Sequence, residues 1–206
     1  MPTLPKSIMW ARSDTAGADH VLCDDRSGLI ARGVAVAAVP LPFSCRYEVT
    51  TDEHWEAVRL TVSTEGAGWL RTVRMERALG RWRVSTAEQG DLDRALRAAG
   101  HSPVGLPGTE EPGRLDSALD VDLGAAPLFN TLPVRRLRLR GRPAGEEHRL
   151  TVAWVRVPGL EVLPVEQTYT VHDADRVRYR SGSFTAELTL DADGFVVHYP
   201  GLAQRA

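Results

Sequence analysis

Residues 184–190 read Phe-Thr-Ala-Glu-Leu-Thr-Leu, an alternation of apolar and polar side chains that decides the fold class. Successive side chains of a β-strand point to opposite faces, so Phe184, Ala186, Leu188 and Leu190 share one face of the predicted strand. The threonines and the glutamate share the other face. Strands with one buried and one solvated face are typical of antiparallel sheets.

The same two-residue period recurs along most of the chain, most clearly at 58–63, 69–76, 150–154 and 195–199. Short turn sequences separate the runs, such as Gly-Ala-Gly at 66–68. Strands joined by such short connections pair antiparallel, because parallel pairs require a long crossover. About ten strands are predicted, and a sheet of that size has to curl or close. We therefore predict a mainly β protein with a large curved antiparallel sheet that forms a half-barrel or split barrel.

Only one segment has helical periodicity. Residues 91–99 place leucines and alanines at helical spacing, with Asp91 as the predicted N-cap and Gly100 as the stop. The next sixteen residues, 101–116, contain three prolines and three glycines, which is typical of an exposed loop or lid. We expect a single domain over 1–206, with one short helix in an insert at about 90–115.

The composition excludes several function classes. With 25 basic and 27 acidic residues the net charge is −2, so no strong field attracts nucleic acid. No run approaches the roughly 20 apolar residues of a membrane-spanning helix, and none near the N-terminus resembles a signal-peptide core. We expect a cytoplasmic protein without nucleic-acid binding or integral membrane association, and the oligomeric state stays open. Of the basic residues, only Lys6 is not arginine.

Motifs of common catalytic and cofactor sites are missing. The sequence has no G-x-S-x-G, no GxxxxGK[ST], no GxGxxG after a strand and no H-E-x-x-H. The six histidines are scattered and have no metal-ligating spacing. We expect no cofactor and no metal.

Two carboxylates stand close together in Leu-Asp-Val-Asp-Leu at 119–123. The strand period places Asp120 and Asp122 on one face, roughly 6.6 Å apart along the strand. This spacing suits an acid/base pair, as in inverting glycosidases. It also suits two acceptors for arginines on an adjoining strand, which is the interpretation we favour.

Arginines alternate with leucines in the segment 133–140, which predicts a strand with its leucines inward. Strict alternation places Arg135 on the apolar side, where a charge needs a partner. Three alternatives remain: a bulge moves Arg135 to the rim, Arg135 pairs with a carboxylate such as Asp120, or Arg135 faces a cavity and binds the polar head of a ligand.

Tryptophans are numerous relative to the other aromatic residues. Their apolar body and single N–H suit cavity walls and sugar-stacking platforms, although an inward tryptophan on a strand commonly belongs to the core. Trp55 and Trp154 are the two that we select as candidate ligand contacts.

Residues 119–137, LDVDLGAAPLFNTLPVRRL, resemble the D-x-D-L-x-x-x-P-x-x-N-T-L-P-[IV]-R-R-L core of a bacterial family named "putative glycolipid-binding". The similarity extends over nearly the whole chain, through Gln167, Tyr169 and the terminal segment 193–202. Residues 17–20 resemble the family's G-x-E-H segment, with Asp19 in place of glutamate. The insert at 90–115 departs from the family pattern.

This resemblance implies a curved sheet like that of bacterial lipoprotein carriers, whose concave face takes up acyl chains. It also carries over eight motif positions. These are Asp120, Asp122, Asn130, Thr131, Arg135, Arg136, Gln167 and Tyr169.

We therefore expect a cofactor-free binding protein that holds an apolar or amphipathic, glycolipid-like molecule in a β-sheet cavity. The expected ligand-binding residues are Arg135, Arg136, Asn130, Thr131, Gln167, Tyr169, Trp55 and Trp154. One alternative is a small cofactor-independent isomerase, cyclase or hydrolase with Asp120, Asp122 or His20 as general acid/base and Arg135 stabilising an oxyanion. Another is a structural or interaction domain with a filled core.

Overall fold

One sheet of fourteen strands dominates the computed structural model, which describes residues 7–24, 27–107 and 113–206. The strands are β1 (Ser7–Arg12), β2 (Gly17–Asp24), β3 (Ile30–Ala37), β4 (Phe43–Thr51), β5 (Ala57–Gly66), β6 (Trp69–Ala78), β7 (Arg81–Gly90), β8 (Asp120–Leu123), β9 (Glu147–Arg156), β10 (Glu161–Val171), β11 (Arg176–Ser181), β12 (Phe184–Leu190), β13 (Val196–Tyr199) and β14 (Ala203–Arg205). Their order in the sheet is β7-β6-β5-β4-β3-β2-β1-β14-β13-β12-β11-β10-β9-β8. The mainly β prediction is confirmed, with more strands than the ten or so expected.

The sheet consists of two meanders that join through the two ends of the chain, where β1 pairs with β14. Neighbouring strands pair antiparallel except β8 and β9, which pair parallel. In the described part of the chain β7 and β8 pair on one side only, so the sheet is open and does not close into a barrel.

The sheet curls so strongly that its two ends approach each other. The amide of Ala57 at the start of β5 donates to the carbonyl of Leu119, next to β8, at 3.1 Å. The Thr64 hydroxyl of β5 donates to the carbonyl of Pro158, between β9 and β10, at 2.8 Å. Apolar side chains of β5 and β6 therefore share one hydrophobic cluster with those of β8 and β9. This curl confirms the predicted curvature.

A helix that the sequence analysis did not predict lies inside the curl. Seven consecutive residues of α2 (Leu128–Arg136), from Leu128 to Val134, are buried. Phe129 belongs to the larger hydrophobic cluster, which both meanders share, and Val134 to the smaller cluster of the second meander. The Phe129 ring meets the Tyr47 ring edge to face, with centroids 5.4 Å apart. The prediction of a single short helix is thus incomplete, and α2 fills much of the concave face.

The predicted strand at 133–140 is wrong. Pro133 and the three residues after it form the end of α2, and a 3₁₀ turn follows at Leu139–Gly141. Between them Arg138 has a left-handed backbone, with φ of 54°. Because α2 is buried nearly all round, its sequence lacks the polar face by which an amphipathic helix is recognised.

The predicted helix of the insert is confirmed as α1 (Leu92–Ala98). The side chain of Asp91 caps it by accepting a hydrogen bond from the amide of Arg94 at 2.7 Å. Leu92 and Leu96 are buried, which places the apolar face of the helix against the sheet.

A single buried arginine ties the insert to the sheet. Arg71 of β6 is 2% exposed, and its Nε donates to Glu88 at 2.9 Å. Its Nη1 donates to the carbonyls of Gly105 at 2.7 Å and Gly159 at 3.2 Å. Asp93 lies 3.6 Å from Nη2 and accepts from the amide of Gly105. Residues 101–107 are therefore fastened to the sheet, and residues 108–112 of the predicted loop or lid lie outside the described residues.

We expect Arg71→Met to lower the free energy of unfolding by about 3–5 kcal/mol, because it leaves the carboxylates of Glu88 in β7 and Asp93 in the insert without their buried partner. Hydrogen exchange should also accelerate at the amides of 104 and 105. The exposed Arg74 of the same strand is the matched control, and Arg74→Met should change stability by no more than about 0.5 kcal/mol. Unchanged protection of 104 and 105 in the Arg71 variant would contradict this role.

A buried carboxylate lies within the first meander. Asp19 of β2 has no exposed surface, and its two oxygens accept hydrogen bonds from the Tyr47 hydroxyl at 2.9 and 3.0 Å. The Tyr47 ring crosses over Gly33, where an added Cβ would lie 1.9 Å from a ring carbon, so this position requires glycine. Burial raises the pKa of Asp19 to about 7, against the opposing hydrogen bond from Tyr47.

Asp19 should destabilise the fold as the pH rises. Between pH 3.8, its ordinary pKa, and about 7, the folded chain keeps a proton that the unfolded chain has lost. Between pH 4 and 8 the free energy of unfolding of Asp19→Asn should therefore rise by up to about 4 kcal/mol relative to that of the native chain. One pKa unit corresponds to about 1.4 kcal/mol. Urea denaturation across this range measures the gain, with the exposed Asp116→Asn as control. If the difference in stability between Asp19→Asn and the native chain did not vary with pH, the raised pKa of Asp19 would be refuted.

Candidate functional site

A cavity of about 410 Å³ opens beside α2 on the inner face of the second meander; we call it the central cavity. Its polar side chains are Asp14, Asp122, Asn130, Gln167 and Ser181. Its aromatic side chains are Trp154, Tyr179, Phe184 and Tyr199. A small number of polar groups within an aromatic wall is typical of small-molecule sites.

Strand register brings these residues together. Asp122 of β8 is paired with Trp154 of β9, and Gln167 of β10 is paired with Ser181 of β11. Ser181 is in turn paired with Phe184 across the β11–β12 hairpin. Paired residues share a face of the sheet, so one face of five neighbouring strands, β8 to β12, supplies most of the cavity wall.

A directed chain of hydrogen bonds runs from α2 to the cavity. The Asn130 amide donates to the Tyr169 hydroxyl at 2.8 Å, and this hydroxyl donates to Oε1 of Gln167 at 3.3 Å. The Gln167 Nε2 then donates to Oδ2 of Asp122 at 2.6 Å. Each side chain thus provides a hydrogen-bond partner for the next, as buried polar groups require. The series of hydrogen bonds ends on a carboxylate that lines the cavity.

The Asp122 carboxyl has an unusual environment. Burial raises its pKa to about 6, although the hydrogen bond from Gln167 lowers it. In the described part of the chain no cationic side chain forms an ion pair with Asp122. The carboxyl therefore changes charge near pH 6 and has spare acceptor capacity toward the cavity.

Aromatic rings form the rest of the cavity wall. Tyr179 contacts Phe184 and Tyr199 edge to face, with centroids 6.2 and 6.1 Å apart. Tyr169, which is paired with Tyr179 across β10 and β11, contacts its ring edge to face at 5.3 Å. Phe184 is 48% exposed and marks the mouth of the cavity, while Tyr179 and Tyr199 are buried. Burial raises the pKa of both tyrosines, so they present neutral hydroxyls.

Asp120, by contrast, does not line the central cavity and is bound by an arginine. It is fully buried, and Arg136 donates to both of its oxygens, from Nε at 3.0 Å and from Nη2 at 2.5 Å. The predicted arginine partner is therefore present for Asp120, although it comes from a helix and not from an adjoining strand. For Asp122 the partner is the amide of Gln167.

The structure distributes the other predicted residues over several places. Thr131 is buried, and its hydroxyl finds no partner among the described residues. Trp55 and Arg135 line a second cavity, where Arg135 donates to the carbonyl of Asp193. His20 lies on the outer face of the sheet, 2.9 Å from the Ser7 hydroxyl. The catalytic set of Asp120, Asp122, His20 and Arg135 is thus not brought together.

Sequence reasoning missed the aromatic wall. The alternation predicts inward strand positions for Phe184 and Tyr199, of which Tyr199 is buried, and it assigns no role to Tyr179. Their role in a cavity wall depends on the space that α2 leaves free, which the period of the strands does not reveal. Of the five tryptophans, Trp10, Trp69 and Trp82 belong to the core, while Trp55 and Trp154 line cavities.

The described residues contain no group of three or more histidine, cysteine, aspartate or glutamate side chains arranged to hold a metal ion. They also contain no helix that is long and apolar enough to cross a membrane.

Comparison with known proteins agrees with the resemblance seen in 119–137. The family model described as "Putative glycolipid-binding" matches residues 7–205. A crystal structure of a DUF1089 family protein from Pseudomonas aeruginosa is similar to the chain over 95% of both molecules, with a TM-score of 0.72 and 25% sequence identity. No curated protein matches the chain.

We expect Gln167→Leu to raise the pKa of Asp122 above its value of about 6, because the variant removes the hydrogen bond that favours the ionised carboxylate. Carbon-13 NMR titration of the aspartate carboxyl groups measures this shift. The exposed Gln89→Leu provides a control of the same chemistry. If Gln167→Leu left the titration of Asp122 unchanged, the hydrogen-bond chain would not end on this carboxylate as described.

Proposed function

The chain belongs to the family described as "Putative glycolipid-binding", and from this premise we propose that it is a cofactor-free binding protein for an amphipathic small molecule. The central cavity holds the hydroxylated, sugar-like head of that molecule. The observation that carries the proposal is the Asp122 carboxylate, which faces the same space as the Trp154 and Tyr179 rings.

The chemistry of a sugar matches both the polar and the aromatic side chains that line this cavity. The hydroxyl groups of a sugar donate to a carboxylate and accept from amides, which are the groups of Asp122 and Asn130. The C–H faces of a sugar ring are apolar and pack on aromatic side chains, the role that we assign to Trp154. The volume of about 410 Å³ falls within the usual range of small-molecule sites, roughly 300–1,000 Å³.

The apolar part of the ligand leaves through the mouth of the cavity. The concave face cannot take a long acyl chain along its length, since α2 occupies it with buried side chains. Phe184, 48% exposed, and the half-buried Leu202 lie in the cavity wall and offer an apolar exit. This route differs from the sequence-based expectation, in which the apolar strand faces themselves bury the tail.

Octyl glycosides provide the test, with octyl β-glucoside and octyl β-galactoside below their micellar concentrations as probes. Isothermal titration calorimetry should detect saturable binding to the native chain. Asp122→Asn should weaken it by about 10–100-fold, because hydrogen bonds to a charged group contribute about 1.5–3 kcal/mol. Trp154→Ala should weaken it as well. Asp116→Asn, at an exposed carboxylate, is the control and should bind like the native chain. Absence of saturable binding, or equal affinity in all variants, would reject the proposal.

A second candidate function rests on the pKa of Asp122. A carboxyl group that titrates near pH 6 inside a cavity is suited to general acid/base catalysis. Asp120 cannot assist, because both of its oxygens are bound by Arg136. One carboxyl suits an isomerisation better than a two-carboxylate glycoside hydrolysis. Proton exchange on a bound reducing sugar in deuterated water, lost in Asp122→Asn with binding retained, would favour the enzyme over the binding protein.

A further inference from the structure

A second cavity of about 390 Å³ lies at the end of α2, where three arginines converge. Arg135 belongs to the last turn of the helix, Arg138 follows it, and Arg140 lies in the 3₁₀ turn. Trp55 and the turn at 192–194 form the facing wall. We call this cavity the arginine pocket. It shares no lining residue with the central cavity.

The Arg135 guanidinium is held in place from two sides. It stacks on the Trp55 ring, with Cζ 4.5 Å from the ring centroid. Its Nη1 donates to the carbonyl of Asp193 at 2.7 Å. Its stem packs on Gly194, where an added Cβ would lie 3.3 Å from Cδ. The remaining N–H groups of this fixed guanidinium make no hydrogen bond to a described residue.

The other two arginines differ in their partners. Arg140 donates to the carbonyls of Ala174 and Ala192 and forms an ion pair with Asp175 at 2.6 Å. The Arg138 side chain is exposed and makes no hydrogen bond or ion pair with a described residue. Two of the three guanidinium groups in the pocket therefore have no carboxylate partner in the described chain.

Nearby carboxylates do not neutralise the pocket. Glu53 and Asp193 belong to its lining, but neither forms an ion pair within 4.0 Å of the three arginines. The Glu53 side chain is 82% exposed and lies beside His54. The buried Arg71, by contrast, has its carboxylate in Glu88. The arginine pocket therefore carries unpaired positive charge on the half-buried Arg135 and the exposed Arg138.

We propose that the arginine pocket binds a phosphate group, carried by a phosphate monoester or diester. The planar guanidinium donates two parallel N–H groups, which match the oxygens of phosphate. Arg135 and Arg138 contact the phosphate directly, and Arg140 supplies a third positive charge from a fixed position. Trp55 holds Arg135 in place and exposes an aromatic edge to whatever group the phosphate carries.

Phosphate could reach the pocket on a soluble ester or on a phospholipid head group, and two sets of probes distinguish these sources. The soluble probes are inorganic phosphate and glycerol 3-phosphate, titrated by calorimetry at constant ionic strength in chloride. The lipid probe is a phosphatidylcholine vesicle with one fifth phosphatidic acid, compared by co-sedimentation with vesicles of phosphatidylcholine alone. Saturation by the soluble probes identifies the first source, and binding confined to phosphatidic acid vesicles identifies the second.

Three variants test the residues. Arg138→Gln should weaken binding of the responding probe by about 10-fold or more without affecting folding, because this side chain has no partner among the described residues. Arg135→Gln should weaken it at least as much. Arg83→Gln removes the same charge from an exposed site on β7 and should alter affinity less than twofold.

The proposal fails if neither kind of probe binds the native chain, or if Arg83→Gln and Arg138→Gln weaken binding equally. It also fails if vesicles of phosphatidylcholine alone bind as well as those with phosphatidic acid. Arg138→Gln decides the matter even if Arg135→Gln unfolds, which circular dichroism would reveal. Octyl glycoside binding by Arg138→Gln should match the native chain, so failure here is separable from failure at the central cavity.

Discussion

The paired hydrogen bonds between Arg136 and Asp120 fix the helix on which both cavities depend. Asp120 is fully buried on the edge strand β8, where an unpaired carboxylate would cost several kcal/mol. Burial raises its pKa, and the Arg136 guanidinium counteracts this rise. Arg136 is the last residue of α2, so the pair attaches the end of the helix to the edge of the sheet. Since consecutive helical residues are about 100° apart, fixing Arg136 also sets the direction of Arg135.

The requirement that buried polar groups be satisfied fixes the middle of the same helix. Asn130 is 4% exposed, and its amide donates to Tyr169 on β10. From there the donors run in one direction to Asp122, so the contact that positions α2 also orients the amide of Gln167. Hydrogen bonds in a low-dielectric interior reinforce one another. The central cavity is therefore bounded by groups whose orientation is set before any ligand enters.

The sequence predicts those features that depend on neighbouring residues. The two-residue period yielded the strands and their curl, and the Asp91 cap with Gly100 delimited α1. A fully buried helix has no alternation of apolar and polar faces, so the sequence does not predict α2, and the alternation at 133–140 predicts a strand in its place. Gln167 is 45 residues from Asp122, and Asp193 is 58 residues from Arg135. At such separations the order of the strands in the sheet decides which residues come into contact.

At three positions the structure gives a physical reason why the residue is arginine and not lysine. Arg71 satisfies two carbonyls and a carboxylate at once from a fully buried site, which needs several donors at fixed angles. Arg136 needs two parallel N–H groups to hold both oxygens of Asp120. Arg135 needs a plane to stack on Trp55 while it donates to a carbonyl. Lysine cannot replace arginine at these positions, because its ammonium group has neither two parallel N–H donors in a fixed geometry nor a planar surface that can stack on a ring. Guanidinium chemistry therefore accounts for these three arginines, whereas an exposed and unpaired one such as Arg83 places no such demand on its side chain.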